Sequence, residues 1–195
     1  SALKHPNWKM GKKITIDSAT MMNKIFEIIE AKNIFDLKYK DLSILIHPKS
    51  YVHAIVKFNN GLIKLLIHDT NMTIPIFNSL YSINEKKMNS KKINIPILNN
   101  LNLKKVEKKR FPVVKILDHL NNKHSLFETI IVSANDKLVE LFLNDKIHFT
   151  DISKKLLKII TNKNFAKYKR IAPKNINQIH KMNEYVRFKI ESLSI

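Results

Sequence analysis

The stretch Lys13-Ile-Thr-Ile-Asp17-Ser18-Ala-Thr-Met-Met-Asn23-Lys24-Ile-Phe-Glu27 decides how this chain is read. Ile14 and Ile16 alternate with polar residues, as a short strand does. Asp17 or Ser18 then offers an N-cap oxygen. From Ala19 onward Met22, Ile25, Phe26 and Ile29 recur at helical spacing. The stretch thus predicts a strand-to-helix junction. Asn23 and Glu27 stand four apart and share a face, which Lys24 borders. A hydroxyl, an amide and an ammonium at a helix start suit a phosphate, and a carboxylate beside them suits a hard divalent cation. The plainer reading is a solvated Lys–Glu pair on an amphipathic helix, worth a few tenths of a kcal/mol, on the order of 0.3.

Working outward, Asp41 to Ile46 and Tyr51 to Phe58 read as strands. Asn59-Asn60-Gly61 is a turn signal, and Leu62 to His68 reads as the partner strand of a hairpin. From residue 82 to about 110 Lys, Asn and Ser dominate and Pro96 interrupts, which predicts a linker or extended connection. Beyond Phe111, Val114 to Leu120, Leu126 to Val132 and Lys137 to Leu143 have helical periodicity. Thr150-Asp151 is a cap signal for a helix to Ile160, and Asn175 to about Leu193 forms a last helix. Asn135-Asp136 is a cap signal for the Lys137 helix. The predicted fold class is α+β: a region over 1–81 with a mixed or antiparallel sheet, a connection over 82–110, and a helical bundle over 111–195.

Composition narrows the function classes. Hydrophobic residues make up 44% of the 195, enough for a core. No apolar run approaches a membrane span and no basic cluster precedes an apolar one, so neither a transmembrane helix nor a signal peptide is expected. The sequence has no cysteine, which removes disulfides, thiolate nucleophiles and Cys-type zinc sites and agrees with a cytoplasmic location. The net charge of +19 raises a nucleic-acid reading. The charge is almost all Lys, however, with arginine only at 110, 170 and 187, and it is spread along the chain among abundant Ile and Asn. That pattern favours compositional drift over a nucleic-acid footprint. His47 and His53 flank Pro48 without a third ligand at suitable spacing, so a hydrogen-bonded, half-buried His53 is the default. Ser18 lacks a Gly-x-Ser-x-Gly context for a hydrolase nucleophile.

The segment from Ala2 through His5-Pro6, Trp8, Met10-Gly11 to Asp17-Ser18 and Asn23-Lys24 resembles 1-deoxy-D-xylulose 5-phosphate reductoisomerases. Glu30-Ala31, Leu45-Ile46-His47-Pro48 with Ser50, Val52-His53, Met72, Pro75-Ile76, Ser133-Ala134-Asn135-Asp136 and Phe149-Thr150-Asp151-Ile152 extend the resemblance along the chain. It implies NADPH-dependent conversion of 1-deoxy-D-xylulose 5-phosphate to 2-C-methyl-D-erythritol 4-phosphate in the non-mevalonate isoprenoid pathway. It further implies a homodimer in the full enzyme and a magnesium or manganese ion, with no nucleic-acid or membrane partner.

Carried over by position, the resemblance makes His5 a substrate-binding histidine on a mobile loop. Trp8 and Met10 become the tip of a lid, and Gly11 and Met72 lie near NADPH. Ser18, Asn23 and Lys24 hold the substrate phosphate and neighbouring oxygens, and Lys24 and Glu27 act at the reacting centre. Glu27 is also a metal ligand, and His53 neighbours the pocket. Ile25 stands where the family usually has glycine, and Ile67 replaces a small residue. With only Gly11 and Gly61, the chain cannot carry a Gly-x-Gly-x-x-Gly nucleotide fingerprint. The family's nucleotide domain, two metal carboxylates and a further substrate serine are expected upstream of this sequence. The chain therefore reads as a C-terminal half that is inactive by itself. The alternatives are a catalytically inactive remnant and a basic nucleic-acid-binding module.

Overall fold

A computed structural model describes residues 11–82 and 85–192. Over these residues the fold is α+β, rich in helix, with two small antiparallel sheets. The chain divides into two compact units, one formed by residues up to Ile44 together with those from Val106, the other by Leu45–Lys105. These divisions differ from the sequence boundaries at 81 and 110. The short pairing of Leu45 with Lys105 and Ile46 with Lys104 ties the Lys/Asn-rich stretch into the second unit. That pairing of distant segments has no periodicity for a sequence to reveal.

The first unit opens with α1 (Lys12–Thr20) and α2 (Met22–Ile34). The predicted strand at Ile14–Ile16 is therefore helix. A strand would put Ile14 and Ile16 on one face, whereas on a helix residues two apart point nearly opposite ways, and Ile14 is 52% exposed while Ile16 is fully buried. Neither Asp17 nor Ser18 caps α2. Both lie inside α1, and the turn between the helices is Met21 alone, at φ 69°. A side chain in this left-handed region costs roughly 1 kcal/mol. Thr20 braces the turn: its hydroxyl donates toward the carbonyls of Ile16 and Asp17, and it accepts from the Met22 N–H at 3.4 Å.

The remaining described helices of this unit are 3-10 helices over Tyr39–Asp41, Pro112–His119 and Lys167–Arg170, α5 (Leu126–Leu143), α6 (Phe149–Thr161), a short α7 (Lys163–Ala166) and α8 (Ile176–Ser192). The two helices expected over 126–143 are one. Asn135-Asp136 is mid-helix rather than a cap, because Asn135 finds its partner outside the helix. Thr150-Asp151 does not cap α6 as expected. His148 is the N-cap, and Asp151 accepts from its backbone N–H at 3.0 Å in a capping box. α8 lies where the last helix was expected, and the Asn175 side chain just before it accepts from the Gln178 N–H at 3.0 Å. The core joins Ile16, Met22, Ile25 and Ile29 to Ile116, Phe127, Ile130, Ile131, Leu138, Ile152, Leu156, Ile160 and Val186. The first two helices thus belong to the bundle that the sequence assigned to residues beyond 111.

In the second unit β1 (Leu45–Ile46) is followed by the expected hairpin, β2 (Val52–Lys57) and β3 (Ile63–Ile67). Gly61 takes φ 87° in its turn, which a side chain would resist. The register pairs Lys57 with Ile63 and Ala54 with Leu66, then slips so that Val52 faces Ile67 and His53 is the extra residue of a bulge. α3 (Thr73–Leu80), α4 (Ile95–Asn99) and β4 (Lys104–Lys105) complete it, so the expected linker carries a helix and a strand. Among the described residues no helix is long and apolar enough to cross a membrane.

Candidate active site

The one-residue turn at Met21 joins the last turn of α1, which carries Ser18, to the first turns of α2, which carry Asn23, Lys24 and Glu27, and this α1–α2 elbow is the candidate site. Lys24 Nζ donates to both carboxylate oxygens of Glu27, at 2.9 and 2.8 Å. Their side chains are 40% and 53% exposed, so the pair adds about 0.5 kcal/mol or less to stability. Ser18 and Asn23 are partly buried, and the Asn23 Oδ1 is shielded from solvent with no partner among the described residues. The elbow therefore presents a hydroxyl, an amide and an ammonium beside a carboxylate that folding hardly uses. Ile25, expected as a bulky group beside these residues, instead turns inward and is fully buried between Met22 and Ile29 in the core.

Beneath the elbow lies a charged cluster that the sequence reading missed. Lys13 Nζ bridges Asp17 Oδ2 at 2.6 Å and Asp136 Oδ1 at 2.9 Å. From α5, Asn135 Nδ2 donates to the other Asp17 oxygen at 2.8 Å. Asp17 is 3% exposed and Asn135 fully buried. Burial pushes the Asp17 carboxyl above its ordinary value, against the pull of its bonds from Lys13 and Asn135. Burial works against the Lys13 ammonium too, but its bonds to Asp17 and Asp136 outweigh it and hold Lys13 above its ordinary value. The spacing of Lys13 and Asp17 was the available signal for the first pair. Nothing local pointed to Asn135. A cavity of about 290 Å³ between α1, α2 and α5 is lined by Lys13, Phe26, Ile29, Glu30 and Val132, and by none of the four elbow residues.

Gly11 sits at the N-cap of α1, where an added Cβ would meet no atom of the described residues. His5, Trp8 and Met10 lie outside the described residues. Met72, 53% exposed, precedes α3 in the second unit. In that unit His53 is exposed rather than half-buried. Its ring stacks on His68, with centroids 3.6 Å apart and planes 5° from parallel, and its Nε2 bonds the His68 carbonyl at 3.1 Å. His47 binds the Leu101 carbonyl through Nδ1. The two histidines thus take separate partners, and among the described residues no three Asp, Glu, His or Cys form a metal cluster.

Comparison with known proteins bears on both units. Residues 1–35 match the family model described as the 1-deoxy-D-xylulose 5-phosphate reductoisomerase C-terminal domain, and residues 68–189 match the one described as the DXP reductoisomerase C-terminal domain. The 1-deoxy-D-xylulose 5-phosphate reductoisomerase of Pelagibacter ubique (strain HTCC1062) is 69% identical over 194 residues, 100% of this chain and 50% of its own length. The apicoplastic enzyme of that name from Plasmodium falciparum (isolate 3D7) is 34% identical over 97% of this chain and 39% of its own length. A crystal structure of DOX-P reductoisomerase in complex with NADPH, fosmidomycin and magnesium superposes with a TM-score of 0.85 at 31% identity, over 99% of this chain and 48% of that one. The chain spans about half the length of the curated relatives it matches. With matches in both units and a relative this similar from end to end, the chain belongs to the 1-deoxy-D-xylulose 5-phosphate reductoisomerase family.

Proposed function

We propose that this chain forms the C-terminal half of an NADPH-dependent reductoisomerase that converts 1-deoxy-D-xylulose 5-phosphate to 2-C-methyl-D-erythritol 4-phosphate. The observation that carries this reading is the elbow, where Lys24 pairs with an exposed Glu27 on helices whose other faces are buried in the core, with Ser18 and Asn23 on the same two helix ends. Ser18, Asn23 and Lys24 bind the phosphate and adjoining oxygens of the substrate. The buried, unpartnered Asn23 oxygen leaves that amide a hydrogen bond still to be made. Lys24 exchanges its bond to Glu27 for one to the anionic substrate, which frees the carboxylate.

Glu27 fits a divalent cation as one oxygen donor. A hard cation takes about six, so the rest of the set comes from beyond the described residues, which hold no such cluster. Gly11 and Met72 fit positions that lie against NADPH, the first because no atom of the described residues crowds it and the second because it is exposed. When bound, the cation polarises the substrate carbonyl and NADPH supplies the hydride. His5, Trp8 and Met10 belong to the same reading as a substrate-binding loop and lid. A homodimer in the complete enzyme does too, since Leu62, Ile63, Leu65 and Leu66 leave an apolar hairpin surface for it to bury.

The test is to complete the chain with the N-terminal half of the Pelagibacter ubique relative and follow NADPH oxidation. The expected result is oxidation that requires both 1-deoxy-D-xylulose 5-phosphate and magnesium or manganese. A folded, completed protein that oxidises no NADPH under these conditions would overturn the reading.

A further inference from the structure

The proposed substrate site at the elbow uses Ser18 from α1 and Asn23, Lys24 and Glu27 from α2. It does not use the cluster directly beneath, yet that cluster is the least expected feature of the unit. A carboxylate at 3% exposure and a fully buried amide are rarely left in a core without a reason. Hydrophobic residues of similar size often stabilise such a place as well or better.

The geometry indicates what the cluster does. Asp17 immediately precedes Ser18. Its two oxygens are divided between two elements, one bound by Lys13 a turn earlier on α1, the other by Asn135 on α5. Asp136, the next residue of α5, forms an ion pair with the same Lys13 ammonium at 2.9 Å, so α1 and α5 are linked twice, by that ion pair and by the hydrogen bond between Asp17 and Asn135. The carbonyl of Asp17 lies within reach of the Thr20 hydroxyl, which in turn accepts from the N–H of Met22, the first residue of α2. A hydrogen-bonded chain therefore runs from α5 through Asp17 and Thr20 to the start of α2. Hydrogen bonds fix direction where apolar packing tolerates sliding, and a shift of about 1 Å in a positioned group is enough to slow a reaction by roughly 100-fold.

We propose that Asp17, held by Asn135 and Lys13, is a positioning residue that sets the α1–α2 elbow and so the spacing of Ser18 from Asn23, Lys24 and Glu27. The inference rests on the functional reading above. It adds a residue that touches neither substrate nor metal and acts through the backbone of its neighbours.

The test uses Asp17→Asn, Asn135→Asp and the double exchange Asp17→Asn/Asn135→Asp in the completed protein, with kcat and KM for 1-deoxy-D-xylulose 5-phosphate and the melting temperature measured for each. Asp17→Asn leaves one acceptor oxygen for two donors, Asn135 Nδ2 and Lys13 Nζ, and turns an NH2 toward one of them, while the double exchange lets the new amide donate to residue 135 and accept from Lys13. The expected result is a fall in kcat/KM of about tenfold or more for each single variant, with Asp17→Asn at least as heat-stable as the wild type at the pH of the assay, about 7, and recovery of most of the loss in the double exchange. Wild-type kcat/KM in a folded Asp17→Asn protein would overturn the proposal, as would a double exchange no better than the singles. Losses that merely follow the melting temperature would also overturn it. A wild-type protein without turnover overturns the functional reading itself, and that outcome is visible before any variant is compared.

Discussion

The two units treat their apolar residues differently. In the helical unit Ile16, Met22, Ile25, Ile116 and Ile130 are fully buried and Phe127 nearly so. In the unit of Leu45–Lys105, Tyr51 is the only buried apolar residue among those described, and Ile55, Val56, Leu62, Ile63, Leu65 and Leu66 are 39–59% exposed. The hairpin keeps its strands by backbone pairing, with apolar side chains on both faces. A two-stranded ribbon of this kind has little stability of its own in water. The first unit is thus a platform whose surface can carry charged groups such as Lys24 and Glu27 that folding does not need. The second is a surface that gains by being covered.

The strongest attempt to break this contrast is Phe127→Ala. Removing a nearly buried ring from the helical core is expected to cost about 3–5 kcal/mol, read as a lower urea midpoint in the isolated chain. A loss under about 1 kcal/mol would mean that this core does not hold the unit together. Ile25→Gly follows. It restores the residue usual in the family, but it empties a buried position and loosens α2, so a loss of about 3 kcal/mol is expected by the same measurement. A gain in stability would return Ile25 to the role of an intruder beside the site.

A smaller effect concerns pH. Because the folded Asp17 carboxyl lies above its ordinary value, its contribution to stability is fully present below the unfolded value, about 3.9. That contribution is lost as pH rises through the folded value. Melting curves should therefore show Asp17→Asn gaining on the wild type as pH rises from about 4 to about 7. Glu140 has the opposite sign. Bonds from Lys137 and Arg187 hold it below its ordinary value against the effect of burial, so what it contributes is lost as pH falls through the carboxylate range. A difference between wild type and Asp17→Asn that stays flat across this window would remove the argument for a burdened carboxylate. The smallest expected effect is that of Leu66→Ala in the isolated chain. At 59% exposure the side chain should contribute less than about 0.5 kcal/mol, and a larger loss would show the hairpin already covered.

How legible each part was depends on where its determinants lie. The hairpin was readable because Asn59-Asn60-Gly61 is a local turn signal between apolar runs, and α2 because four apolar residues repeat over two turns. α1 was misread because an alternation of only three residues, Ile14 to Ile16, is too short to separate a strand from a helix that exposes one of its two isoleucines. α5 was cut in two because Asn and Asp mid-helix look like a cap when their partners are not visible. Asn135 is satisfied by Asp17, which sits far away in sequence, and such pairings leave no periodic trace. The elbow residues were legible as a set of chemical groups, but the one-residue turn that assembles them was not. Nothing in Met21 announces a left-handed backbone. The pairing of β1 with β4 escaped for the same reason as Asn135.

The central claim is that Glu27 is free of structural duty and available to a metal. The direct measurement is a magnesium titration of turnover for the completed protein and its Glu27→Gln variant, with the melting temperature of each. The account predicts that the variant loses at least about 100-fold in metal-dependent turnover while melting within a few degrees of the wild type, on the order of 2 °C. A variant that turns over normally at the same magnesium concentrations would contradict it.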